Sequence, residues 1–106
     1  MGDASFTAAI DRVLELTRDM TARAAADEWQ AAAGIQQRRD ALLQRLFARP
    51  RSPEEMAQAA ARLREVLRMD RELIRLGEEA RERLAGELGK ITRGRRAVHA
   101  YTGHKV

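Results

Sequence analysis

Few side chains in this 106-residue chain have the type and spacing that covalent chemistry requires. The two histidines, His99 and His104, lie five residues apart near the C-terminal end, with no acid close by in sequence and no cysteine in the chain. A nucleophile needs an activating base and a metal needs several convergent ligands, so neither a triad nor a zinc site can be argued from this set. The neighbouring carboxylates Glu54-Glu55 and Glu78-Glu79 fall within helical patterns. Adjacent helical residues point in different directions, so acid/base cooperation is not implied. Gly94 and the other glycines fit neither the P-loop nor the dinucleotide-binding pattern. The chain reads as a non-enzyme without a cofactor or metal.

Cations are the distinctive remainder. Every acid lies at or before Glu87, whereas Lys90, Arg93, Arg95, Arg96 and Lys105 follow it, so the excess charge is concentrated at one end of a near-neutral body. Lys90 to Arg96 could hold phosphates and Tyr101 could stack on a base. Five cations and one aromatic make a weak nucleic-acid pattern, however, and cations near a helix C-terminus also complement its dipole. An anionic protein partner fits better than nucleic acid.

These residues must be carried by helices, because strand-type alternation is absent and helix formers dominate throughout. The only prolines, Pro50 and Pro53, mark one clear turn. After it, Ser52-Pro53-Glu54-Glu55 signals a helix start, with Ser52 as cap, Pro53 at the first helical position and Glu55 as capping-box partner. Apolar residues then recur at three- and four-residue steps to Ile91, predicting a long third helix over about 53–93 and then a short C-terminal helix or basic tail over 94–106. Before the turn, Phe6, Ile10, Val13, Thr17, Met20 and Ala24 form one narrow stripe on a first helix, about 4–25. Trp29, Ala32, Ile35, Leu42, Leu43, Leu46 and Phe47 mark a second, about 28–48.

Only Asp27 offers itself as a cap between the first two helices, which leaves two architectures open. A turn near Asp27 makes a single-domain antiparallel bundle of three main helices; continuous helix there makes one long α-helical hairpin. In the bundle, the third helix would leave Ala80, Leu84, Leu88 and Ile91 partly uncovered, and such a stripe marks a partner or self-association contact unless it is internal core. Gly77, Gly86 and Gly89 make that distal half easier to bend. Asp70 falls among Leu63, Val66, Leu67, Leu73 and Ile74, as a polar residue that sets helix register would. No apolar run approaches the roughly eighteen residues that span a bilayer, and the N-terminal residues lack a secretory signal's basic and apolar regions. A cytoplasmic location is expected.

The order of several short features resembles the FliT-type flagellar export chaperones over roughly residues 10 to 101. They are Asp27-Glu28-Trp29 opening the second helix, its Leu43-x-x-Leu46 end, Met69-Asp70-Arg71-Glu72-Leu73-Ile74, and Gly94-Arg95-Arg96-Ala97-Val98-His99-Ala100-Tyr101. The resemblance implies a cytoplasmic bacterial chaperone that holds the filament-cap protein FliD before type III export. It also implies contact with the export ATPase complex and, by analogy with enteric members, with the master regulator FlhDC. Carried onto this chain, it puts Leu73, Ile74, Ala80, Leu84, Leu88 and Ile91 in the apolar partner surface, and Arg95, Arg96 and Tyr101 in a docking or switch region. The competing reading is a self-associating coiled-coil module, in which the same stripe closes on a second copy as a homodimer.

Overall fold

A computed structural model describes residues 2–103, with side chains described from Ser5 to His99. Within them the chain forms α1 (Gly2–Ala25), α2 (Trp29–Leu46) and α3 (Pro53–Gly103), and no strand. The chain turns at Asp27, so the three-helix bundle is realised and the hairpin is not. Two compact units divide it, Met1–Leu76 and Gly77–Val106. The first holds α1, α2 and the opening of α3; the described part of the second is the rest of α3.

In the first unit, the stripe of α1 is buried at every position from Phe6 to Ala24 that the spacing selects, Thr17 included. Its burial proceeds in three clusters. Phe6 and Ile10 pack with Ala59, Leu46 and Leu63; Val13 and Leu14 with Val66, Leu42 and Met69; Leu16, Met20 and Ala24 with Ala32, Ile35, Trp29 and Leu73. Phe6 with Ala59, Val13 with Val66 and Met20 with Leu73 advance together by seven residues, so α1 and α3 run parallel on a coiled-coil-like repeat while α2 runs back between them. Fully burying a side chain such as Phe6 or Ile10 stabilises the fold by about 1.5–3 kcal/mol.

The two turns are built from local hydrogen bonds. At the end of α1, Asp27 adopts the left-handed conformation (φ 63°), its N–H donates to the carbonyl of Ala24, and the N–H of Glu28 donates to that of Arg23. That pattern closes the helix as a Schellman motif, with an aspartate where glycine is usual. Asp27 therefore ends α1 and does not cap α2, and its carboxylate accepts a 2.7 Å bond from the Trp29 indole. At the other turn the expected capping box forms: the Ser52 N–H donates to Glu55 Oε1 and the Glu55 N–H to Ser52 Oγ, both at 3.1 Å. Beside it, Arg51 donates to the carbonyl of Leu46 and lies 4.6 Å over the ring of Phe6, which meets Phe47 edge-on.

One polar cluster joins all three helices inside this packing. Arg39 of α2 is 6 % exposed; its guanidinium donates to Asp70 of α3 at 2.5 Å and to Thr17 of α1 at 3.4 Å, and also contacts Asp40. Thr17 in turn donates to the carbonyl of Val13. Asp70 is thus half-buried, as its place in the stripe indicated, with a partner the apolar pattern did not reveal. Towards the solvent, Arg62 of α3 pairs with Asp11 of α1, and Arg68 and Arg75 pair with Glu65 and Glu72 along α3. Hydrogen bonds from Arg68 and Arg75 hold those two glutamates below the usual carboxylate range.

The third helix does not stop near Arg93. It runs on to Gly103, because nothing after Pro53 removes a backbone donor and none of the described glycines adopts positive φ. The expected tail is therefore helical through Gly103, while His104 and Lys105 lie outside the described residues.

Removing either member of the Arg39–Asp70 pair leaves a charge without its partner. Arg39→Leu and Asp70→Leu alone are each expected to lower stability by about 1–3 kcal/mol. The double variant should lose less than the sum, measured by denaturant unfolding. Strict additivity would show that the pair does not couple α2 to α3. A second expectation concerns the capping box. The Ser52 backbone N–H, helped by Arg51, holds the Glu55 carboxyl below its usual range. A depressed carboxyl contributes stability that is complete above its unfolded pKa and is lost as pH falls through the folded value. The melting temperature of wild type should exceed that of Glu55→Gln at neutral pH, and the gap should close on acidification through that window. A constant gap would remove the charge from the account.

Candidate functional site

The candidate surface is the apolar face of the second unit, whose helix begins at Gly77 within α3. Leu84, Leu88 and Ile91 follow one another at steps of four and three, which keeps them on one face. They are 57, 55 and 53 % exposed, well above the exposure of the apolar residues on α1. Ala80 is half-buried one turn before Leu84 and Val98 is exposed two turns after Ile91. Aliphatic side chains left in water at regular helical spacing are unusual on a surface that has no partner.

Arg95 falls on the same face, between Ile91 and Val98, and is exposed. Arg96 is turned away from it and, with Thr92, Arg95 and His99, lines a shallow hollow. Tyr101 lies on the same helix, its side chain outside the described residues. The glycines of this unit are not there for want of space: a Cβ at Gly77, Gly86 or Gly94 would meet nothing within 4 Å. They lower helix propensity without admitting a neighbour.

The two remaining sequence-selected residues belong to the first unit. Leu73 is half-buried against the cluster of Leu16, Met20 and Ile35, so it serves the bundle core, whereas Ile74 is exposed. Apolar periodicity alone does not separate a covered position from an uncovered one. Arg39 escaped the sequence reading altogether. The signal was present: position 39 completes the steps Ala32, Ile35, Leu42, Leu46 on α2, and a cation there requires a carboxylate opposite.

The arrangement offers an exposed aliphatic contact surface. Among the described residues no group of three or more histidines and acids could hold a metal, and no helix is long and apolar enough to cross a membrane. An open groove between α1 and α2 runs over Leu16 and Leu42, with Arg12, Arg38 and Arg45 at its edges.

Comparison with protein families finds one model, described as flagellar protein FliT, that matches residues 7–103 and so spans nearly the whole chain. Neither curated proteins nor solved structures give a match.

Replacing Gly86 by alanine is expected to stabilise helix in the second unit by up to about 1 kcal/mol, since no atom obstructs the added methyl. Amide exchange of residues 80–91 should slow. Unchanged exchange would show that the glycine does not loosen this stretch.

Proposed function

We propose that this chain, which belongs to the FliT family of flagellar proteins, is a cytoplasmic chaperone that holds the filament-cap protein, the FliD-type client, before type III export. FliT is a family of flagellar export chaperones and not of enzymes. The observation that carries the reading to particular residues is the run of exposed aliphatic side chains Leu84, Leu88 and Ile91 on the helix of the second unit. A client segment that forms an amphipathic helix can lay its apolar face along such a stripe and be kept from assembling early. Ala80 is assigned to the same client surface; in the first unit, the exposed Ile74 is assigned to client contact and Leu73 to the bundle core.

Contact with the export ATPase complex, or with the flagellar master regulator, is assigned to the cationic end of the helix. Arg95 and Arg96 are exposed there and flank His99 around one hollow. Tyr101 is placed in the same docking region.

Mixing the protein with the C-terminal segment of a filament-cap protein should yield a complex at concentrations on the order of tens of micromolar. Leu84→Asp or Leu88→Asp is expected to weaken it by about tenfold or more, since each removes a buried aliphatic contact and adds a charge, while circular dichroism stays unchanged. Binding that survives both substitutions would put the client elsewhere.

A further inference from the structure

Six positions of the second unit, Arg81, Leu84, Leu88, Ile91, Arg95 and Val98, follow one another at steps of three and four residues. That is the seam of a coiled coil, and all six are exposed. Four are aliphatic. The other two are arginines fourteen residues apart, or about 21 Å along the helix axis. Neither arginine holds an ion pair among the described residues, and no seam position between Gly77 and Val98 carries an acid.

Any helix that covers this seam must enclose both guanidiniums. A guanidinium does not lose its charge on burial, so it needs a carboxylate or it opposes the contact. The first unit obeys that rule where it encloses an arginine between helices: Arg39 meets Asp70. A second copy of the chain cannot supply the carboxylate from its own seam. In a parallel pair Arg81 and Arg95 would face their own equivalents; in an antiparallel pair centred between Leu88 and Ile91, Arg81 would face Val98 and Arg95 would face Leu84.

We infer that this seam selects a partner helix of opposite character, with aliphatic residues along its core and carboxylates at two core positions fourteen residues apart, and that it disfavours pairing with a second copy of this chain. The inference rests on reading the stripe as the client surface and specifies what the client must carry. The apolar residues supply contact area, while the two arginines supply register and choice of partner.

The test uses the full chain and two synthetic helical peptides, identical in their leucine and isoleucine core. One carries glutamate at two core positions fourteen residues apart and the other lysine there. Titration by fluorescence anisotropy should show wild type preferring the glutamate peptide by about tenfold or more, with the preference reversed in Arg81→Glu/Arg95→Glu. Sedimentation should show that Arg81→Leu/Arg95→Leu dimerises at least about tenfold more tightly than wild type. Equal affinity for both peptides, or a wild-type dimer as tight as that of the leucine variant, would overturn the inference. The preference for glutamate holding while a filament-cap segment fails to bind would sustain the inference and remove the proposed client. A cap segment bound through Leu84 and Leu88, but with no charge preference in the peptides, would do the opposite.

Discussion

The guanidinium of Arg39 is the constraint around which the bundle is arranged. It remains charged whether or not it is buried, and it is enclosed where α1, α2 and α3 converge. Such a group is tolerated only if oxygen atoms reach it from the surrounding helices, so Asp70 and Thr17 must arrive at one level. A shift of α3 by one residue would carry Asp70 around the helix and away from the guanidinium. Aliphatic contacts alone are less particular, because a seam of leucine, isoleucine and valine can slide by a whole heptad and still bury much of its area. The polar cluster turns a generally favourable packing into one alignment.

The remaining elements serve that alignment. The Schellman closure at Asp27 stops α1 after Ala25, and the bond from Trp29 to Asp27 sets the start of α2 against the Leu16, Met20 and Ala24 cluster. At the opposite end, Ser52 and Glu55 start α3, while Arg51 reaches the last turn of α2 and the ring of Phe6 on α1. Each turn is short and locally satisfied, so the helices enter the bundle with little freedom in their offset.

The two units divide the physical work. In Met1–Leu76 the aliphatic stripe of α1 is covered and the enclosed arginine has its carboxylate, while Leu67 and Ile74 of α3 stay exposed. In the second unit Leu84, Leu88, Ile91 and Val98 are exposed and two seam positions are arginine. An exposed aliphatic stripe suits a chaperone, which must offer contacts that a client completes. The family to which the chain belongs accords with that division.

Periodicity and local chemistry in the sequence determined much of this. The stripe from Phe6 to Ala24, the capping box at Ser52 and the all-helical class could be read directly, because each depends on residues within a few turns of one another, and the family resemblance from the order of such short features along the chain. The sequence also placed Asp70 on an apolar stripe. Three things were left to tertiary structure. Asp27 in the left-handed conformation decided between bundle and hairpin, since alanine-rich sequence before it permits either. Arg39 found Asp70 across thirty-one positions of chain, which no helical period connects. Leu73 was covered while Leu84, Leu88 and Ile91 were not, although one pattern generates all four, because burial depends on which other helices pack against a given turn.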